Sequence, residues 1–362
     1  SIEYGKNRAH LAWYHVATFF SHVESYTPQH IRDDADMRSD HRTRIINEQE
    51  VFPNRQTTVE SDTRLTVLNL AYYPEERGAY NISADEVQSN GKLSNPQSRW
   101  GGMMRKLDNT DFETANIEYI EFWLMDPFLT NPDATYSGGD RYINRGDVSE
   151  DILKDGKKSF EHGLPATTDE EQNVEKTIWG RVPKTTSTVT AFSNEAGSRQ
   201  RQDVGLNGLS TEQEFLFEYN GTHPYADYRQ ALLDKLDGGV KTEWEADPYS
   251  PINDPAGDNY HYYRGSDLDE QHVSILNRYK RYNGTEGNSP DAEGSNETYG
   301  SAATLIPDIE DINNDNTLSE YEKYYEYHVS IRPEMMEVGR QYITEKRVSR
   351  VQLENGNSED VT

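Results

Sequence analysis

The stretch that decides the architecture is residues 116–128, NIEYIEFWLMDPF. Side chains on an extended chain alternate between two faces. Ile117, Tyr119, Trp123 and Met125 therefore share one face, and Ile120, Phe122 and Leu124 the other. Pro127 has no amide proton to give a ladder and ends the run. Apolar residues on both faces predict a strand covered on two sides. Residues 64–81, RLTVLNLAYYPEERGAYN, read the same way, with Thr66, Val67, Leu68, Leu70, Tyr72 and Tyr73 in the strand and Pro74 and Gly78 ending it. Glu121 and Asn69 interrupt these runs, which favours a soluble sheet over a lipid-facing wall.

Working outward, residues 8–23 fit an interrupted helix or a buried strand pair equally. Residues 31–50 read as loop and then strand, and residues 141–165 as a short strand with a charged connection. Short helices are expected over 210–219 and 226–239, the second with Gly238 at its C-cap, and another over 270–284. Residues 247–259 hold Pro248, Pro251 and Pro255 and read as loop. After residues 283–300, a loop or locally disordered tract, Tyr325, Tyr327, Val329 and Ile331 alternate as a strand until Pro333. The expected fold is mainly β with a few short helices, a jelly-roll-like β-sandwich with long polar loops. Residues 1–60 would pack on a β-rich domain at 61–335, which carries long loops at 165–210 and 245–300. Residues 336–362 would be partly flexible.

Bulk composition narrows the function. The chain has 362 residues and a formal charge of −28, from 64 acidic and 36 basic side chains. Such a polyanion repels nucleic acid and anionic membrane surfaces. Only 33% of residues are hydrophobic, but 24 Tyr, 10 Phe and 5 Trp supply large core-formers. A thin core with tyrosine hydroxyls at its edges follows. There is no cysteine, so disulfides and thiolate chemistry are excluded. The chain starts Ser-Ile-Glu and is expected to be a piece of something longer. No apolar run approaches the roughly 20 residues of a membrane helix, whereas a barrel strand needs only about 9–11.

Residues 311–322, DINNDNTLSEYE, place oxygen donors at alternate positions of a twelve-residue loop. The helix–loop–helix calcium pattern takes ligands at positions 1, 3, 5, 7, 9 and 12. Here these are Asp311, Asn313, Asp315, Thr317 through its carbonyl, Ser319 through water, and Glu322. Calcium suits them because it gathers 6–8 hard oxygens in a flexible cage. Asn316 stands where the pattern has glycine, and a strand pattern follows Glu322. The competing reading is an Asn/Asp turn bonded to its own backbone. A bound Ca2+ would stiffen the loop rather than perform chemistry.

No nucleophile elbow, P-loop or dinucleotide fingerprint occurs. His10, His15 and His22 read as packing or solvated residues. Glu118, Glu121 and Asp126 could supply a glycosidase pair, but 64 acids make that coincidence common. No enzyme is expected. Trp100, Trp179 and Trp244 sit where sugars could stack, so a secreted calcium-dependent carbohydrate-binding β-sandwich is the rival reading.

Several segments, in order, resemble one family: NRAHLAWYHVATFF, RLTVLNLAYYPEERGAYN, LSNPQSRWGGMMRKLDNTDFETANIEYIEFWLMDPF, GDVSEDILKDGKKSFEHGLP, RQDVGLNGL, DNYHYYRGS, RYKRYNGTEGNSP and PDIEDINNDNTLSEYEKYYEYHVSIRP. This is similar to the SprA/Sov family, the outer-membrane translocon subunit of the type IX secretion system, linked in many members to gliding motility. The resemblance implies an internal portion of a giant outer-membrane β-barrel through which folded cargo proteins leave the periplasm. It also implies a PorV-type barrel partner and a periplasmic plug protein. This portion is expected to be a soluble, non-enzymatic wall or gate element facing the cell surface, the barrel lumen or the periplasm.

Overall fold

A computed structural model describes residues 5–55, 64–102, 119–125, 140–141, 153, 174–184, 204–259, 261, 266–282, 329–330 and 349–352. Strands β1 (Ala9–Tyr14), β2 (Ile46–Asn47), β3 (Arg64–Leu65), β4 (Asn69–Arg77), β5 (Tyr119–Phe122), β6 (Asp140–Arg141), β7 (Val174–Lys176), β8 (Arg181–Pro183), β9 (Val329–Ser330) and β10 (Ser349–Gln352) follow in order. Among the described residues they form two-stranded sheets only: β1–β4, β2–β3, β5–β10, β6–β9 and β7–β8. Each pair is antiparallel. The facing sheets of a sandwich do not occur among them.

The open reading of residues 8–23 resolves into β1 followed by a 3-10 turn at Thr18–Ser21. Its partner β4 runs through Pro74, which was expected to end it. The register slips between Ala9, opposite Arg77, and His10, opposite Tyr73. Pro74, Glu75 and Glu76 bulge from the ladder there, where a residue without an amide proton does least harm. Residues 29–51 correct the loop-then-strand reading. They hold helices Gln29–Arg32, Ala35–Ser39 and Glu48–Val51 around the two-residue β2. The Asp34 carboxylate starts the second by accepting from the Met37 amide at 2.8 Å.

The helix at Thr211–Leu216 matches expectation. The next, Pro224–Lys235, opens on a proline that fits the first turn and ends at Leu236. Gly238 is not its cap, because it begins a further helix, Gly238–Ala246, behind Asp237. The single helix read over 270–284 is two, Ser266–Glu270 and Ile275–Lys280. His272 adopts a left-handed φ of 52° between them. Ser274 then caps the second helix, its hydroxyl accepting from the Asn277 amide. Inside the tract read as a 165–210 surface loop, β7 and β8 make a hairpin. Val204, Leu206 and Leu209 of that tract are buried, as are Ile252 and Ala256 in the proline-rich loop.

The core falls into clusters that cross the chain. Ala79, Tyr80, Leu206, Leu209, Phe217, Tyr225 and Ala256 form one. Ala9, Val87, Leu93, Tyr228, Leu232, Leu236 and Ile252 form the second. Ala12, Tyr14, Phe20, Ile31, Ile275, Tyr279 and Tyr282 form the third. Among the described residues Tyr14, Tyr80, Tyr225, Tyr228, Tyr279 and Tyr282 lie inside rather than at the edges, while Tyr26 is exposed. The two-sided burial expected of the aromatic strands is not what the described residues show. Val67, Leu68 and Leu70 are exposed, and Trp123, Leu124 and Met125 follow β5 at 40–47% exposure.

Candidate functional site

The sequence-derived calcium ligands Asp311, Asn313, Asp315, Thr317, Ser319 and Glu322 lie outside the described residues, as do Glu118 and Asp126. His10 is a packing residue. It stacks on Tyr73, and its Nε2 lies 2.7 Å from the Lys280 carbonyl, so Nε2 carries the proton and donates. The tryptophans proposed for sugar stacking are occupied elsewhere. Trp100 is buried, while Trp179 and Trp244 pack against the first and second clusters. Trp244 is also helical rather than in a loop.

What the structure does assemble is a buried acidic centre that sequence reasoning missed. Glu214 lies on the Thr211–Leu216 helix, and Asp254 and Asp258 on the loop behind Pro251. All are buried, and one carboxylate oxygen of each lies within 4.8 Å of the others. Local geometry explains the gathering. Asp254 Oδ1 accepts from the amides of Gly257 (2.8 Å) and Asp258 (3.3 Å), and Oδ2 from that of Asn259 (3.2 Å). The turn so made brings Asp258 back beside Asp254. Ala256 within it gives its carbonyl to the Tyr80 amide at 2.7 Å.

Tyr80 has a left-handed φ of 58°, a conformation a bulky residue adopts only when its surroundings demand it. Its hydroxyl accepts from the Leu206 amide at 2.7 Å. That contact holds the loop carrying Gly205 and Asn207 over the acids. Gly205 has φ +58°, and a β-carbon there would stand 2.1 Å from Asp258 Oδ2. Only glycine admits both the backbone and the approach. The Asn207 amide nitrogen donates to Glu214 Oε1 at 2.5 Å and to the Tyr225 hydroxyl at 3.2 Å. Tyr225 in turn donates to the Trp179 carbonyl at 2.6 Å. Glu214 Oε2 is buried and receives no hydrogen bond.

Electrostatically the centre is under-compensated. Burial, and then the neighbouring Asp254 carboxylate, push Glu214 well above the usual glutamate range, against the opposing pull of Asn207, Arg77 and the Ala256 amide. Burial raises Asp254 as well, opposed by Arg77 and the turn amides. Arg77 is the nearby cation, but its guanidinium donates to the carbonyls of Pro255 (2.6 Å), Asn81 (3.1 Å) and Asp254 (3.1 Å). Beside the centre, Thr211, Asn253 and Asn259 help line a cleft of ≈390 Å³ that also carries Glu212 and Glu245. The donor set is all oxygen, the class that hard cations take. It offers no nucleophile–base pair. Forty residues separate Glu214 from Asp254, so no local motif announces them; the glycines bracketing Leu206–Asn207 were the available signal.

Among the described residues, no helix is long and apolar enough to cross a membrane. Comparison with curated proteins gives no match. Residues 228–362 match the family model SprA_N, motility related/secretion protein. That description belongs to motility and secretion, and the match over this part of the chain supports an assignment to the SprA family.

Proposed function

We propose that this chain is a non-enzymatic wall or gate region of the type IX secretion translocon in the outer membrane, serving export of folded proteins and gliding motility. One observation carries the reading. The family match covers 228–362, and every apolar cluster joins residues of that span to residues before it. Tyr228, Leu232 and Ile252 pack with Ala9, Val87 and Leu93, and Ile275 and Tyr279 with Tyr14, Phe20 and Ile31. The earlier part of the chain thus shares the matched part's body. A chain with a formal charge of −28 suits a conduit, because so acidic a polymer stays hydrated. The jelly-roll-like sandwich belongs to this proposal. β5 and β6 pair with β10 and β9 of the matched span, where further strands would extend them. A calcium ion at residues 311–322 belongs to it too, as a stiffener.

Partners follow from the same reading: a PorV-type barrel, a periplasmic plug protein and exported cargo. Antibodies to the chain, used on detergent-solubilised outer membranes, are expected to capture a β-barrel partner and proteins in transit. Recovery from the soluble fraction alone, without a barrel, would overturn the proposal. Saturable binding on a glycan array would move the reading to the carbohydrate module.

A further inference from the structure

Two features of the acidic centre call for a ligand. Three buried carboxylates converge on one volume, and Glu214 Oε2, fully buried, has no donor. A buried acceptor without a partner is costly, and a buried uncompensated charge costs more. Arg77 relieves this only through space, because its hydrogen bonds go to carbonyls. We propose that Glu214, Asp254 and Asp258 hold a hard divalent cation, calcium in the first instance, which clamps the Asp254–Asn259 turn to the Thr211–Leu216 helix.

The chemistry selects this class. All three ligands are carboxylates, with no imidazole or thiolate nearby to favour zinc or copper. A divalent cation would supply positive charge where three buried carboxyl groups converge. Asp254 is pre-oriented by three amides, so it can present its remaining lone pairs without rearrangement. Gly205 packs its backbone against Asp258, where any side chain would meet the carboxylate, so the loop holds that acid in place. The cleft lined by Glu212, Glu245, Thr211 and Asn259 gives a cation an acidic approach. Water and backbone carbonyls would complete the 6–8 oxygens that calcium takes. The site draws on no residue of the 311–322 stretch.

The test uses the full chain, stripped with EDTA and then given CaCl2 or MgCl2, with bound metal per chain and melting temperature as readouts. Glu214→Gln should bind one equivalent of metal fewer than the parent chain. In EDTA Glu214→Gln should melt above the parent, since its side-chain amide can donate to the neighbouring carboxyl groups and relieves the convergence of three acids. With saturating calcium the order should reverse. Equal metal content and equal calcium response in parent and Glu214→Gln would overturn the proposal in favour of carboxyls that share protons. Should that variant fail to fold, Asp258→Asn is read against the same two outcomes. Independently of any variant, a crystal of the parent chain grown in CaCl2 should show an ion about 2.3–2.6 Å from Glu214 Oε2. Its absence there would overturn the assignment.

Discussion

Tyr279 offers the sharpest test of how the chain is held together. Its ring is fully buried, stacks on Tyr14 at 4.5 Å between centroids and meets Phe20 edge-on at 6.1 Å. Its hydroxyl accepts from the Ala17 amide at 2.7 Å, across 262 positions of sequence. Tyr279→Phe keeps the ring and removes the hydroxyl that accepts from Ala17. Because Ala17 is half-exposed, water can replace the lost bond, and the cost falls near the low end for a hydrogen bond, about 1 kcal/mol. Tyr279→Ala removes the ring and leaves a cavity, which costs about 3–5 kcal/mol. For a body of this size about 2–4 °C accompanies each kcal/mol, so the shifts should be about 2–4 °C and about 6–20 °C. Calorimetry measures both, and hydrogen exchange should show faster exchange at the Ala17 amide in Tyr279→Phe. An unshifted melt for Tyr279→Ala would refute the packing of β1 on the Ile275–Lys280 helix. The link between the matched span and the residues before it would go with it.

Gly205→Ala forces a β-carbon into a left-handed backbone and onto Asp258. A loss of at least about 1–2 kcal/mol is expected from the backbone alone, and an unchanged urea midpoint would contradict the close approach. Burial holds His10 below the usual histidine range and pushes His261 down to about 3. Below about pH 6.5 both bind fewer protons folded than unfolded, so stability should fall as pH drops from 7 toward 5, by at most about 1.4 kcal/mol per unit for each. His10→Gln should remove one share of that slope in urea titrations. Arg99 donates to Glu86 at 2.6 Å and holds that carboxyl below the usual range. Its contribution is present above about pH 4.3 and disappears as pH falls through the lowered value. Glu86→Gln should therefore cost about 1–2 kcal/mol at pH 7, since Arg99 keeps its bonds to Ser94 and Lys6. The same substitution should cost nothing at low pH.

Legibility differed by the range of the forces involved. The Thr211–Leu216 and Pro224–Lys235 helices were readable because the residue preferences that form a short helix act within a turn or two of chain. The β4 strand was readable from its aromatic and branched residues. Its passage through Pro74 was not, because a bulge depends on what the partner strand offers opposite. Gly238 looked like a helix end and is a helix start, since glycine serves either role and the choice falls to neighbours such as Asp237, whose amide bonds the distant Ser89 carbonyl. Polarity misled most. VGLNGL reads as loop, yet its backbone is satisfied by Tyr80 and Arg181 from remote segments, and that lets it enter the core. The acidic centre was invisible for the same reason. Its members come together only through that loop and the Asp254 turn.

That closure bears on what the family match means physically. The matched span begins at Tyr228, inside the Pro224–Lys235 helix. A folding boundary cannot fall there, because Tyr225, Tyr228 and Leu232 on that one helix are all buried and belong to two clusters. Their partners Tyr80, Val87 and Leu93 precede the match by more than a hundred residues. Burying a large apolar side chain contributes about 1.5–3 kcal/mol, while a whole domain has only about 5–15 kcal/mol in hand. Removing the earlier residues would uncover Leu232, Ile252, Ile275 and Tyr279 together and exhaust that margin. The limits of sequence similarity here are limits of detectability; the unit that folds, and on which any role in secretion must act, spans both sides of them.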